Sequence, residues 1–349
     1  MIITVTPNPS LDRTLELDHL VRGALNRAAG VRVDPGGKGV NVSRALAAHG
    51  LKTTAVLPLG GAGGVRLGQL LTVDGIEVRA VPVAAGVRTN ITLAEPDGTT
   101  TKLNEPGPQL RTGEVEALRR AVLDEAAAGT WVVCCGSLPR GVAPDFFASL
   151  VGPLHRRGAR VAVDTSGDAL RAVLSAGRSA DQMPDLVKPN HDELAEAVAR
   201  PLATLGDVVL AAAELRDRGV GAALVSLGAD GAVLVDGAGA AHAEARVGRP
   251  RSTVGAGDAL LAGFLFSSGS TRGPAAGCTA GPAEPAPAGS AVLDDARRAR
   301  EALVAALAWG AAATCLPGSR MPGPADVAAV AVTLHHRCDP QRRLEGAPQ

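Results

Sequence analysis

Apolar positions fall along this chain in two alternating rhythms. Short β-branched runs at Ile2 to Thr6, Thr53 to Leu59, Trp131 to Cys135, Arg160 to Asp164, Leu186 to Lys188 and Ala222 to Ser226 predict strands. Between them, stretches such as Glu114 to Ala128 and Val208 to Arg218 repeat apolar residues at helical spacing. This alternation predicts an α/β fold with a central, mainly parallel sheet covered by helices on both faces, and ligands outside the carboxyl ends of its strands. Cys135-Gly136-Ser137-Leu138-Pro139, Lys188-Pro189-Asn190 and Ser226-Leu227-Gly228 each follow a strand directly, so they are expected at that edge. Two regions break the rhythm and read as strands without helices: residues 10–34, and residues 83–105 with a hairpin turn at Pro96-Asp97-Gly98.

Composition narrows the class. With 349 residues, 46% of them hydrophobic, the chain is long enough to bury a large core. Its 35 basic and 35 acidic residues leave no net field to attract nucleic acid or an anionic membrane, so any phosphate site must be local. The start, Met1-Ile2-Ile3-Thr4-Val5-Thr6, lacks the basic segment of a signal peptide, and the longest apolar run, Ala302 to Leu316, is too short and Ala-rich to span a bilayer. A cytoplasmic protein is expected. Five cysteines without a CxxC read as small hydrophobes, Cys134 and Cys135 within a buried strand, and no metal-ligand set emerges from the seven histidines.

Two glycine clusters carry the chemistry. Ser252-Thr253-Val254-Gly255-Ala256-Gly257-Asp258 runs straight into the apolar Ala259 to Leu265, so a loop opens onto a helix N-terminus with an acid on its first turn. Glycines there allow close approach of backbone N–H groups to an anion, and the acid is placed to take a proton; an ordinary acid-capped helix start reads the same way locally. The second cluster, Asp34-Pro35-Gly36-Gly37-Lys38-Gly39-Val40-Asn41, also leads into an amphipathic helix and suits a polyhydroxyl ligand, since bare backbone and an Asn amide both donate and accept. Neither cluster is a P-loop, and the chain has no GxGxxG.

These two segments, in this order, resemble the N- and C-terminal signatures of the ribokinase-like sugar kinases of the phosphofructokinase B type, and the resemblance covers nearly the whole chain. It implies a single ribokinase-like domain over residues 1–334 whose two discontinuous segments form a small β-sheet lid, a soluble kinase using ATP and Mg2+, and a possible homodimer through the lid, with no nucleic-acid or membrane partner. It implies Asp258 as general base and Gly255, Ala256 and Gly257 as the anion hole for the transferring phosphoryl group. Lys188-Pro189-Asn190-His191-Asp192-Glu193 is similar to the family's NxxE element, so Asn190 and Glu193 are expected to organise magnesium through water. Asn190 also reads as a helix cap closed by Glu193, and the two roles are compatible. Lys188, Asn190, Ser226, Gly228, Thr253, Gly255 and Gly257 are expected on the nucleotide, with Gly310 to Ala313 lining the base; small residues there also read as plain helix packing. Asp12, Gly36, Gly37 and Asn41 are expected on the sugar.

A substrate already carrying a phosphate needs a cation. Arg88 is the first candidate because a guanidinium fork matches phosphate oxygens, helped by Lys38, Asn90, Ser137 and Arg27; the plain alternative is a solvated lid arginine. Thr6-Pro7-Asn8-Pro9-Ser10-Leu11-Asp12-Arg13-Thr14 with Gly37-Lys38-Gly39 is most similar to the members that convert fructose 1-phosphate to fructose 1,6-bisphosphate. Kinases of tagatose 6-phosphate or fructose 6-phosphate come next, then kinases of a free sugar or nucleoside, then a catalytically silent binding protein. Residues 267–290, rich in Gly, Pro, Ala and Ser, read as a disordered insertion before a helix over Asp294 to Cys315, and residues 335–349 as a polar tail without a role.

Overall fold

The computed structural model describes residues 1–175, 179–248, 250–269, 288–335 and 337–345. The first half runs β1 (Ile2–Val5), β2 (Ser10–Glu16), β3 (Gly30–Gly36), α1 (Lys38–Ala48), β4 (Thr53–Leu59), α2 (Gly61–Val73), β5 (Glu77–Pro82), β6 (Arg88–Ala94), β7 (Thr100–Asn104) and α3 (Thr112–Glu125). It continues with β8 (Trp131–Cys135), α4 (Phe146–His155), β9 (Arg160–Asp164), α5 (Gly167–Val173), β10 (Leu186–Val187), α6 (His191–Val198) and α7 (Leu205–Asp217). Last come β11 (Ala222–Ser226), β12 (Ala232–Asp236), β13 (Gly239–Ala245), α8 (Ala256–Gly269), α9 (Ala288–Thr314), α10 (Pro324–Ala328) and β14 (Val332–His335).

Ten strands form the main sheet in the order β14-β13-β12-β11-β10-β9-β8-β1-β4-β5. From β5 to β11 all pairings are parallel, whereas β12, β13 and β14 close one edge as antiparallel strands. Both faces are buried, which is why the central strands are continuous apolar runs instead of alternating ones. Within β8, Val132 and Cys134 join the core under α3, α4 and α7, while Trp131, Val133 and Cys135 point to the opposite core under α1, α8 and α9. The adjacent cysteines therefore lie on opposite faces; burial pushes the Cys134 thiol up to about 12 and Cys135 well above its ordinary value, so both stay protonated hydrophobes. All cysteines among the described residues are free. No helix among them is long and apolar enough to cross a membrane.

The lid is a separate four-stranded sheet, β3-β2-β6-β7. β2 and β6 pair in parallel across a long sequence separation, with Ser10 opposite Arg88 and Asp12 opposite Asn90. Pro96-Asp97-Gly98 turns the chain between β6 and β7, where Gly98 takes a φ of 94°.

Several expectations change. β5 was not anticipated because its side chains are mostly exposed at the sheet edge, leaving little apolar pattern. The helix expected from Asp294 starts at Ala288, and Ser267–Gly269 still belong to α8; the rest of the expected insertion, 270–287, lies outside the described residues. The segment read as a polar tail instead begins inside β14 and docks, with Leu344 only 8% exposed. Its few apolar residues are spaced too irregularly to signal that. Gly310 packs close to α8: a Cβ there would lie 3.1 Å from Leu260 and 3.2 Å from the Ala256 carbonyl oxygen.

The α8–α9 contact depends on the same device at Gly263, where a Cβ would meet the Ala305 carbonyl oxygen and Trp309 ring at 2.8 Å. Helix propensity favours Ala over Gly by about 1 kcal/mol, but overpacking against backbone costs about 1–3 kcal/mol. We expect Gly263→Ala to lower the urea midpoint with an unchanged m-value; an equal or higher midpoint contradicts close α8–α9 packing.

Candidate active site

Both glycine clusters lie at the carboxyl ends of the strands, and one side chain joins them. Asn41, one turn into α1, donates from Nδ2 to Oδ2 of Asp258 at 2.8 Å, across 217 residues of sequence. Both are buried, at 5% and 7% exposure, and Oδ1 of Asn41 has no hydrogen-bond partner. The turn before α1 requires its glycines: Gly37 takes a φ of 115°, and a Cβ on Gly36 would stand 2.4 Å from the Asp12 carboxylate. Before α8, Gly255 takes a φ of 78° with the Met321 methyl group packed against it.

Around Asp258 stands a buried charge cluster with a member the sequence reading missed. Asp164, the last residue of β9, is fully buried. Its Oδ1 accepts from Lys38 Nζ at 2.7 Å, and its Oδ2 pairs with Lys188 Nζ at 3.2 Å. Lys38 also lies 3.5 Å from Glu193. Lys188 reaches the start of α8, since a Cβ on Gly257 would be 3.3 Å from its Nζ. An ammonium group thus adds its charge to the positive end of the α8 dipole. Burial alone would push the Asp164 carboxyl up, but Lys188 and Lys38 outweigh it and hold it below the usual range. Burial likewise works against the charge on Lys38, yet Asp164, Glu193 and Asp258 hold it above the ordinary lysine value. For Asp258 the balance is reversed: burial first and the negative Asp164 second push it up to about 6, against the pull of Asn41 and the two lysines. The one available sequence signal for Asp164 was an acid ending an apolar strand.

Asn190 and Glu193 form the anticipated capping box: Asn190 Oδ1 accepts the Glu193 N–H at 2.8 Å, and Glu193 Oε2 accepts the Asn190 N–H at 2.9 Å. This leaves Oε1 of Glu193 facing Lys38, off the cap. Asn190 and Ser226 form a parallel bridge, which sets the NxxE element beside the turn after β11. Gly228 is exposed with a φ of 61°, and Thr253 is exposed at the start of the second glycine loop.

On the lid, Asn90 Nδ2 donates to Asp12 Oδ1 at 3.0 Å and to Ser10 Oγ at 3.1 Å. Arg88 is anchored by two main-chain carbonyls, those of Glu105 at 3.0 Å and Asn8 at 3.2 Å, and its buried Nε has no partner. Burial lowers the guanidinium pKa somewhat, partly offset by Asp12 and Glu105. Asn8, another residue missed from sequence, donates to Ser137 Oγ at 3.2 Å and so links the lid to the turn after β8. Arg88 and Ser137 are thereby tied through Asn8, while Asn90 is held by Ser10 and Asp12. Lys38 instead turns toward Asp164 and Glu193. Arg27 is exposed in the connection between β2 and β3 and forms no hydrogen bond or ion pair with the described residues.

A carboxyl whose folded pKa is raised binds its proton more tightly folded than unfolded. Its stabilising contribution is complete below the unfolded value of 3.8 and is lost as pH rises through about 6. Asp258→Asn should therefore stabilise the protein at pH 8 by roughly 2–3 kcal/mol and leave it unchanged near pH 3.5. Thermal melts of both proteins across this range test it; a variant less stable at pH 8 contradicts the raised pKa.

Comparisons with known proteins place the chain in a family. The pfkB family carbohydrate kinase profile matches residues 6–270. The chain is 38% identical over 270 residues to the 1-phosphofructokinase of Rhodobacter capsulatus, covering 76% of this chain and 83% of that one. It is 36% identical over 280 residues to the ATP-dependent 6-phosphofructokinase isozyme 2 of Mycobacterium tuberculosis (strain ATCC 25618 / H37Rv), 78% of each chain. Phosphofructokinase-2 from Escherichia coli, solved with substrates and products, superposes with a TM-score of 0.80 at 31% identity, covering 94% of this chain and 97% of that one. The chain belongs to the pfkB family of carbohydrate kinases, phosphotransferases with an alcohol group as acceptor.

Proposed function

We propose that the protein transfers the γ-phosphoryl group of ATP to fructose 1-phosphate, giving fructose 1,6-bisphosphate. The observation that carries this reading is the Asn41–Asp258 hydrogen bond, which brings the sugar-type glycine turn and the anion-type glycine loop to one buried carboxylate. Phosphoryl transfer asks a protein mainly for position and charge stabilisation. Asp258, with a pKa near 6, is mostly ionised at neutral pH and accepts the proton of the attacking hydroxyl. The N–H groups of Gly255, Ala256 and Gly257, with Lys188 beside them, hold the transferring oxygens. Lys38, shared by Asp164 and Glu193, stands ready to neutralise charge between donor and acceptor.

Asp12, Gly36, Gly37 and Asn41 hold the sugar hydroxyls. Arg88, Asn90 and Ser137 receive the phosphate already on the substrate, an assignment supported by the unpartnered Nε of a guanidinium fixed on two carbonyls. Ser226, Gly228 and Thr253 line the nucleotide side. The donor set fits magnesium held through water: Glu193 keeps Oε1 off the cap, next to Asn190. Magnesium bound with the nucleotide supplies positive charge to its phosphates. A second copy docked on the lid fits the exposed Val31 and Leu103, each 55% accessible.

The kinship to relatives named 1-phosphofructokinase favours fructose 1-phosphate, and the Mycobacterium relative makes fructose 6-phosphate the second reading. Steady-state assays with fructose 1-phosphate, fructose 6-phosphate and free fructose separate them. We expect fructose 1-phosphate to have the highest kcat/KM. Arg88→Ala should raise its KM about 10- to 100-fold with little change in the KM for ATP, and Lys should restore only part. Equal use of free fructose, or an unimpaired Arg88→Ala, contradicts the sugar-phosphate reading.

A further inference from the structure

Asp230 sits in the turn after β11, where a short connection between adjacent strands ordinarily exposes its polar residues. Here Gly228 and Ala229 are exposed, but Asp230 is only 4% accessible. A buried carboxylate is tolerated only when its oxygens are paired. Both of its oxygens are paired by the C-terminal segment: Arg342 Nη2 donates to Oδ1 at 3.1 Å, and the Glu345 N–H donates to Oδ2 at 2.6 Å. Its main-chain carbonyl accepts from His242 Nε2 at 2.8 Å, and Gly231 is pressed so close to β13 that a Cβ would stand 2.0 Å from the Ala243 carbonyl oxygen.

The same segment holds a second loop. Leu205 N–H donates to the Arg342 carbonyl at 2.9 Å, Gly206 N–H to Pro340 at 3.2 Å, and Leu344 N–H to Ala203 at 3.2 Å. Leu344 enters the core cluster that contains Leu202, Leu205 and Leu227. The 202–206 loop is tied in turn to the start of α6, where His191 Nε2 donates to the Leu202 carbonyl at 2.7 Å. One strip of chain thus secures the turn at 226–231 and the neighbourhood of Asn190 and Glu193. Arg342 is itself held from the far side by Glu244, which also pairs with His335 at 3.1 Å. His242, Glu244 and His335 approach within 4.8 Å, a metal-like grouping. The Arg342 guanidinium already caps Glu244, and the two imidazoles stack face to face, 4.9 Å between centroids, so the group serves as a strut for Arg342.

We propose that residues 337–345 are a positioning element for the nucleotide end of the active site, acting through the Arg342–Asp230 pair on the turn at 226–231. The inference rests on the kinase reading above, since it needs that turn to face the nucleotide. Arg342 touches no reacting group. It sets the geometry of a loop that does, so its loss should register in nucleotide affinity and leave sugar-phosphate recognition alone.

The test uses the full chain with Arg342→Ala and Arg342→Lys. Calorimetric titration with MgADP and steady-state kinetics give separate readouts. For Arg342→Ala we expect nucleotide Kd and the KM for ATP to rise about tenfold, with the sugar-phosphate KM within about twofold of wild type. Lys should recover part of the loss, because it still pairs with Asp230. Hydrogen exchange should speed up at residues 227–231 while the central strands stay protected. Unchanged MgADP affinity in Arg342→Ala, or equal rises in both KM values, overturns the inference and leaves the kinase reading standing. A wild-type protein that binds no MgADP overturns both.

Discussion

A fully buried carboxylate between two ammonium groups is the constraint on which the site depends. Asp164 has no solvent to stabilise its charge, and Lys38 and Lys188 replace that solvent from opposite oxygens. The two lysines come from different motifs, one from the first glycine turn and one from the strand end before the NxxE element. Pairing with Asp164 therefore locks these motifs together at the carboxyl edge of the sheet. Removing one partner of such a pair would leave a buried charge uncompensated, typically about 3–5 kcal/mol. Burial first, and this negative charge second, raise the Asp258 carboxyl above the ordinary aspartate value. One buried group thus serves both architecture and chemistry.

The fold explains why these groups meet. Parallel strands end together, so β8, β9, β10 and β11 deliver Ser137, Asp164, Lys188 and Ser226 to one edge of the sheet. The two N-terminal helix starts, α1 and α8, approach from one face, close enough for Asn41 to reach Asp258. Above this edge the lid contributes Asp12, Arg88 and Asn90 from paired positions of β2 and β6. Asn8 ties the lid to the main sheet through Ser137.

Local patterns in the chain revealed as much of this as local physics controls. Central strands were legible because burial on both faces makes them continuous apolar runs, and Asp258, Asn41 and the glycines because tight turns demand glycine at particular spacings. Asp164 was not, since a single acid at a strand end has no spacing to mark it and its partners come from Lys38, 126 residues away, and from Lys188. Asp230 left no mark for the same reason; its partner Arg342 lies 112 residues on, in a stretch whose composition resembles a solvated tail. Arg27 stays exposed between β2 and β3, without a partner among the described residues. What escaped sequence reading is the pairing of the buried charges, because contacts across the fold leave no periodic trace.

With Asp258 as the proposed base, its tuning by Asp164 is read from the acid limb of kcat/KM. Wild type and Asp164→Asn should be compared with the same substrates, so that substrate ionisation cancels. In wild type the rate should fall below about pH 6 as Asp258 takes up its proton. Asp164→Asn removes the neighbouring negative charge, so the residual activity should keep its acid limb but shift it to lower pH. A limb at the wild-type position, or one displaced to higher pH, would contradict the account.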